Sequence, residues 1–383
     1  MTIEPISKAE LERATAEALR IIRSNVPLYT DREQNHSSVH GVYPTCRNTQ
    51  WTCGFWPGEL WISWELTRDP VFKACAETHV RSFLHRAEHR IEVETHDMGF
   101  LYTPSCVSAW KLTENDDARK AALLAADLLL ERWQPKGRFL QAWGSMGAKG
   151  TYRYIIDCLL NLPLLYWATE ETGNETYRQI ALAHTKTCLT YSFRPDWSTY
   201  HTYFLDPETG KGLYGETCQG YKADSSWARG QAWAVYGLAL AYRQTQDESL
   251  LTVFDGAADY FLSRLPDDLI PYWDLIFQEG DEPRDSSSAS IVACGLLEMA
   301  RINEKRKETC TLMAKKLIGQ VYRTCHVSPG GQANGLVLHG TYSKRSPYNT
   351  CTEEGVDECV SWGDYFYLEA LARLTKADWH AYW

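Results

Sequence analysis

The sequence predicts an all-α protein whose helices form an (α/α)6 barrel. Helical periodicity dominates the chain, and clean strand alternation is rare. The predicted helices number twelve, and the connections between them alternate between short and long. Each long connection is rich in Gly, Trp, His and Asn, and each leads into an even-numbered helix. Six helical hairpins with all their long loops at one end describe a toroid, whereas a helical solenoid would show a sequence repeat.

Capping residues and breakers place the helices in order. The first helix begins at Ser7, where Glu10 completes a capping box, and ends near Ser24. Asp69 and Pro70 are typical of an N-cap and a first helical position. Pro163 predicts a kink inside the sixth helix. The remaining predicted helices span 54–66, 70–89, 104–113, 116–134, 152–168, 174–193, 226–244, 248–264, 288–303, 304–323 and 360–374.

Size, charge and cysteine content restrict the class of protein. The 383 residues are 44 % hydrophobic, enough for a large core, and we expect one domain spanning 1–383. The net charge of −10 and the absence of a basic stripe argue against nucleic acid and anionic membranes as partners. The N-terminal sequence has no secretory pattern, and no apolar run could span a membrane. We therefore expect a cytoplasmic protein with its 12 cysteines reduced.

The long loops are the expected location of the functional site, because long loops in a compact domain are usually functional. The chain has 15 Trp and 22 Tyr, and many of them lie in these loops rather than on helical stripes. The alternative interpretation is that these large aromatic side chains simply fill the hydrophobic core. Sugar rings stack on aromatic faces, however, so the loop positions favour a carbohydrate ligand.

Two aspartates are candidate acid–base groups. Asp157 lies in an apolar run, and a helix there would place Asn161 one turn further along the same face. Burial would raise the pKa of Asp157 and keep it partly protonated near neutral pH, as a general acid requires. Asp97 supplies a second carboxylate, and such pairs are usual in glycoside-cleaving enzymes. The structural alternatives are an ion-paired Asp157 and an Asp97 that only forms a turn before Gly99.

Six ordered segments covering nearly the whole chain then point to a family. They are TQWTCGFWPGELW (49–61), THDMGFLYTPS (95–105), YIIDCLLNLPLLYWA (154–168), SSWARGQAWAVYGLALAYR (225–243), RDSSSASIVACGLLE (284–298) and ECVSWGDYFYLEALARL (358–374). Together they resemble the unsaturated glucuronyl hydrolases of glycoside hydrolase family 88. That family has an (α/α)6 barrel, in agreement with the alternation of loop lengths.

The resemblance implies an enzyme that acts on the disaccharides and short oligosaccharides left by polysaccharide lyases. These carry a non-reducing uronate with a C4=C5 double bond. Protonation of C4 would place positive charge on C5 and the ring oxygen, and water would then add at C5. The resulting hemiketal would collapse, open the ring and release the next sugar. We expect the substrates to be glycosaminoglycan fragments ending in unsaturated glucuronic acid.

The resemblance also implies roles for individual residues. Asp157 matches the general acid and base, and Asp97 matches a second essential aspartate that holds sugar hydroxyls and tunes the charge at Asp157. The residues expected to bind substrate are His201, Gln219, Arg229, Trp233, Trp143, Trp51, His96, Tyr342, Ser343 and Ser346.

The C-terminal loop departs from a pattern within the family. Some members accept sulfated substrates through a Ser-x-x-Ser-x-Lys sequence. Here Ser343 and Ser346 are present, but Tyr348 replaces the lysine. Lys344 and Arg345 either supply the charge from another direction or are simply solvated, so the preference for sulfated or unsulfated fragments stays open.

Two other functions are compatible with the sequence. One is an unsaturated rhamnogalacturonyl hydrolase, which would act on pectin fragments through the same hydration chemistry. The other is a non-catalytic carbohydrate-binding protein, although both aspartates argue against it. We expect no cofactor and no metal, because no nucleotide-binding glycine motif is present and the histidines lack HExxH spacing.

Overall fold

Two concentric rings of helices make up the fold in the computed structural model, which describes residues 3–383. The inner ring contains α2 (Phe55–Thr67), α4 (Met98–Tyr102) continuing through a π-helical turn (Thr103–Val107) into α5 (Ser108–Thr113), α7 (Pro163–Thr172), α9 (Ala228–Thr245), α11 (Ser286–Ile302) and α13 (Ser361–Thr375). The outer ring contains α1 (Lys8–Asn25), α3 (Pro70–Glu88), α6 (Asp116–Leu130), α8 (Glu175–Tyr191), α10 (Ser249–Ser263) and α12 (Lys307–Cys325).

The packing of these helices closes the ring. Each inner helix packs on the outer helix that follows it, and α1 packs on α13 to complete the sixth pair. α13 also contacts both α2 and α11, so the last inner helix meets the first. The (α/α)6 barrel predicted from the loop lengths is confirmed. No helix of residues 3–383 has the length and apolar character that crossing a membrane requires.

The two ends of the barrel have different chemistry. At the carboxyl ends of the inner helices, Glu298 of α11 is fully buried and pairs with Arg373 of α13 at 2.8 Å and with Arg243 of α9 at 3.2 Å. Cations at helix carboxyl ends oppose the negative end of the helix dipole. The amino ends of the inner helices face the long loops. Because salt bridges occupy the carboxyl end of the barrel, a ligand would bind at the loop end.

Four small antiparallel sheets stiffen the long loops, a feature that the sequence analysis did not predict. Their strands have two to five residues, too few to leave a clear alternation of side chains. They pair β1 (Glu33–Gln34) with β2 (Thr45–Cys46), β3 (Trp133–Gln134) with β4 (Phe139–Leu140), β5 (Arg153–Ile155) with β6 (Thr202–Leu205) and β7 (Gly212–Glu216), and β8 (Gly340–Ser343) with β9 (Glu354–Glu358).

The helix predicted over 152–168 is wrong in its first half. Strand β5 occupies its beginning, a 3-10 helix covers Ile156–Leu160, and α7 starts only at Pro163. Pro163 is therefore a first-turn residue rather than a kink, since its missing N–H needs no partner there. Asp157 and Asn161 do not share the face of one α-helix. Pairing of β5 with β6 extends the chain before Asp157 and brings that residue beside His201.

Candidate active site

A cavity of about 260 Å³ at the loop end of the barrel gathers most of the predicted site residues. Its lining consists of Trp51, His96, Asp97, Trp143, Ile155, Asp157, His201, Cys218, Gln219, Trp227, Arg229, Trp233 and Tyr342. Ten of the predicted residues are in this set. Ile155, Cys218 and Trp227 were missed, although Cys218 and Trp227 are close neighbours of Gln219 and Arg229 in sequence.

Ser343 and Ser346 are the two predicted residues that do not line the cavity. The Ser343 hydroxyl donates to the carbonyl of Thr352 at 2.6 Å, and the Ser346 hydroxyl donates to the carbonyl of Tyr221 at 2.5 Å. Both hydroxyls hold the C-terminal loop in place. Lys344, between them, is paired with Glu353 at 2.7 Å.

Asp157 presents its carboxyl to the cavity from the first turn of the 3-10 helix. Its side chain is 15 % exposed, and its Oδ1 atom has no hydrogen-bond partner among residues 3–383. Burial raises the pKa of Asp157 well above its usual value, and the negative charge of Asp97 raises it further. The charge of Arg229 and nearby backbone amides oppose this rise without cancelling it. Burial of Asp157 therefore favours its protonated form.

His96 lies between the two aspartates. Its Nε2 atom is 3.4 Å from Oδ1 of Asp97 and 3.6 Å from Oδ1 of Asp157. The ring is fully buried, and burial lowers the pKa of His96 despite the nearby charge of Asp97. Asp97 is itself fixed by Thr95, whose hydroxyl donates to its Oδ2 atom at 2.8 Å. The arrangement holds the two carboxyl groups at the same end of the cavity.

These three side chains are also where a cation would bind. One ligand atom from each of His96, Asp97 and Asp157 lies within 4.8 Å of the others. A bound cation would hold Asp157 in its ionised form, which is the opposite of what its burial favours. A proton-donor role requires protonated Asp157, whereas a metal site requires ionised Asp157. Removal of metal by a chelator distinguishes these two roles.

His201 is held as a neutral donor. Its Nδ1 atom accepts hydrogen bonds from the backbone N–H groups of Cys218 at 3.0 Å and Gln219 at 3.2 Å. Burial, followed by the charges of Arg153 and Arg229, lowers the pKa of His201 to about 3. With Nδ1 accepting, the single ring proton is on Nε2. The histidine can therefore donate one hydrogen bond to a ligand.

Arg229 anchors the opposite wall of the cavity from the first turn of α9. It donates to the carbonyls of Thr341 at 2.6 Å and Tyr342 at 2.7 Å, and to the side chain of Gln219 at 3.2 Å. Its guanidinium also lies 3.6 Å from the buried carboxylate of Asp285. These contacts fix the side chain of Gln219 and the C-terminal loop relative to α9.

Aromatic rings form the remaining walls. Trp51 stacks on Trp362 with centroids 5.2 Å apart and donates to the Tyr342 hydroxyl at 3.3 Å. Trp233, one helical turn after Arg229, is fully buried against Phe100. Trp143 is 38 % exposed and marks the outer end of the cavity. A ring-shaped ligand would thus meet flat apolar faces at the inner and outer ends.

Comparison with known proteins shows which family this chain resembles. Residues 27–344 match Glycosyl Hydrolase Family 88. An unsaturated chondroitin disaccharide hydrolase of Streptococcus pneumoniae is 44 % identical over 99 % of this chain and 95 % of its own length. The crystal structure of an unsaturated glucuronyl hydrolase from Streptococcus agalactiae has a TM-score of 0.94 at 42 % identity, covering 99 % of this chain and 95 % of that one.

A second structure from that organism contains a ligand. It is a variant of the unsaturated glucuronyl hydrolase complexed with dGlcA-GalNAc6S, with a TM-score of 0.86 and 38 % identity. It covers 99 % of this chain and 95 % of its own. The match over most of the sequence, the barrel and the paired carboxyl groups have one explanation: the chain belongs to Glycosyl Hydrolase Family 88.

Proposed function

We propose that this chain is an unsaturated glucuronyl hydrolase, with 1–383 acting as one catalytic domain. It releases 4,5-unsaturated glucuronic acid from the non-reducing end of lyase-generated glycosaminoglycan fragments. The observation that carries the proposal is the buried carboxyl of Asp157, which faces the cavity beside a second carboxyl group and whose pKa burial raises. The activity of similar enzymes on chondroitin disaccharides supports this substrate class.

Asp157 begins the reaction by donating its proton to C4 of the unsaturated ring. The electron pair of the C4=C5 bond forms the new C4–H bond, and positive charge develops on C5 and the ring oxygen. The ionised Asp157 and the neighbouring Asp97 stabilise that charge. Asp157 then takes a proton from water as the water oxygen bonds to C5. Collapse of the resulting hemiketal breaks the bond between C5 and the ring oxygen and leaves a ketone at C5. The hemiacetal that ring opening leaves at C1 then collapses to an aldehyde and releases the next sugar as its alcohol.

The other side chains position the ring for this step. The Nε2–H group of His201 and the side chain of Gln219 offer polar contacts beside Asp157. Trp51 and Trp233 provide apolar faces on which a sugar ring stacks. Positioning of this kind contributes to the rate because the acid and the double bond must meet in one geometry.

The test is the near-ultraviolet absorbance of unsaturated chondroitin and hyaluronan disaccharides incubated with the purified protein. Loss of the conjugated C4=C5 band, with no loss for Asp157→Asn, is the expected result. If only unsaturated rhamnogalacturonan fragments lose the band, the protein is the pectin-directed hydrolase instead. Binding of these sugars without loss of absorbance would support a carbohydrate-binding protein.

A further inference from the structure

Arg153 lies near the cavity, and its side chain donates no hydrogen bond to another group of residues 3–383. Its Nε atom is buried and has no hydrogen-bond partner, and its guanidinium forms no ion pair with a carboxylate of residues 3–383. The Nε atom of Arg229 is also unpaired, but the Nη atoms of Arg229 donate to backbone carbonyls of a neighbouring loop, and so does the guanidinium of Arg132. Buried polar groups are normally satisfied, so an unsatisfied arginine at a binding site points to a ligand.

The position of Arg153 is set by strand β5. It lies two residues before Ile155, which lines the cavity, and alternate residues of a strand point to the same face. Its guanidinium carbon is 4.7 Å from the Trp143 ring and 5.1 Å from the Phe204 ring. Trp143 is the exposed member of the cavity lining, so Arg153, which does not itself line the cavity, contacts the lining at its exposed end.

The charge of Arg153 reaches the site. After burial, it is the largest influence that lowers the pKa of His201, and it also lowers the pKa of His96. Its negative neighbour, Glu216, is not close enough to form an ion pair. An anionic group entering beside Trp143 would therefore meet an arginine whose ring stacking already fixes its orientation.

We infer that Arg153 binds an oxyanion, a sulfate ester, on the sugar that follows the unsaturated uronate. This inference rests on the proposed function and identifies sulfated fragments as favoured substrates. The uronate itself must lie at Asp157 for its C4 to be protonated, which leaves the outer end by Trp143 for the second sugar. Arginine suits this role because its planar donors match a tetrahedral oxyanion with two parallel hydrogen bonds.

The experiment compares unsaturated chondroitin disaccharides that carry no sulfate, a 4-sulfate or a 6-sulfate. Four proteins are assayed by loss of C4=C5 absorbance: the natural chain, Arg153→Met, Arg153→Lys and Arg345→Met. Arg153→Met removes the charge and keeps a long side chain to stack on Trp143. Arg345→Met is the matched control, because Arg345 is an exposed arginine of the C-terminal loop.

The expected result is selective. Arg153→Met lowers kcat/KM for at least one sulfated disaccharide by about tenfold or more, the usual size of a charge-assisted hydrogen-bond effect, and changes the unsulfated one less than about twofold. Arg153→Lys falls between, and Arg345→Met changes neither. With the natural chain, added salt raises KM for the sulfated disaccharide more than for the unsulfated one, a readout that does not depend on any variant folding.

Three results would overturn the inference. Equal losses on all three disaccharides in Arg153→Met would make the residue structural or a ligand of the uronate carboxylate. A sulfate-selective loss in Arg345→Met alone would move the anion site to the C-terminal loop. If Arg153→Met turns over the sulfated disaccharides as fast as the natural chain does, a contact between Arg153 and the sulfate is excluded. If the natural chain consumes none of the three disaccharides, it is the proposed function that fails.

Discussion

The side-chain oxygen of Asn161 accepts a hydrogen bond of 2.8 Å from the backbone N–H of Phe100. This bond joins the turn that carries Asp157 to the helix that begins after Asp97. Gly99 allows the approach, since a Cβ atom there would lie 2.3 Å from the Cα atom of Asn161. The distance between Asp97 and Asp157 is therefore set by a contact between their segments rather than by the aspartates themselves.

Breaking this contact should lower both stability and activity. Asn161→Ala leaves the buried N–H of Phe100 without an acceptor, and we expect the free energy of unfolding to fall by about 1–3 kcal/mol. Gly99→Ala forces the two segments apart and should lower kcat as well. Denaturant unfolding and the absorbance assay measure the two effects. Gly150→Ala is the matched control, because a Cβ atom there meets open space; equal effects at both glycines would contradict the assignment.

Asp157→Asn should separate binding from turnover. The amide keeps the size of the side chain but has no acidic proton to give to C4, so we expect kcat to fall by about 10²–10⁴-fold. Calorimetric titration should still detect disaccharide binding, and thermal unfolding should be unchanged. Activity comparable to that of the natural chain would remove Asp157 from the role of general acid.

Asp97→Asn should move the pH dependence in a defined direction. The negative charge of Asp97 raises the pKa of Asp157, so neutralising it lowers that pKa. The first step needs protonated Asp157, so activity is lost as pH rises through its pKa. We therefore expect the alkaline limb of kcat/KM for the residual activity to shift to lower pH. A limb that stays in place would show that Asp97 does not act on Asp157 through its charge.

Asp285 should prove to be a positioning residue that acts through Arg229. Its carboxylate lies 3.6 Å from the buried guanidinium and accepts hydrogen bonds from Ser287 and Ser288. Asp285→Asn leaves the guanidinium without its anionic partner, and breaking a buried pair costs about 3–5 kcal/mol of stability. We expect a higher KM than in Ser288→Ala, which removes one hydroxyl and keeps the charge. Similar KM values in the two variants would contradict this role.

Chelation tests whether the site works without a metal. Because a cation between His96, Asp97 and Asp157 would keep Asp157 ionised, the proton-donor role requires that activity survive prolonged treatment with EDTA. The rate of absorbance loss before and after treatment is the measurement, with a metal-dependent enzyme treated in parallel. Loss of activity that added divalent cation restores would replace the acid–base assignment with a metal site.

The barrel could be predicted from the sequence because loop length and helical periodicity are local properties of the chain. Connections such as 67–70 and 113–116 allow only antiparallel neighbours. Five such hairpins, with the pair of α1 and α13, close the ring. The prediction of a helix over 152–168 was wrong in its first half, because an apolar run is compatible with a buried strand as well as with a helix. The pairing of β5 with β6, which lies about fifty residues away in sequence, decided that the segment begins as a strand.

The sequence by itself determined the barrel, the family and the pair of acidic residues, because these depend on spacing and on motifs within short segments. The tertiary structure decided which protonation state is favoured at each group: burial raises the pKa of Asp157 and so favours its protonated form, and His201 donates from Nε2 because two backbone amides occupy Nδ1. It also separated Ser343 and Ser346, whose hydroxyls donate to backbone carbonyls, from Arg153, whose Nε atom has no hydrogen-bond partner among residues 3–383. Burial and unsatisfied hydrogen bonds arise only when distant segments meet, so no local pattern contains them.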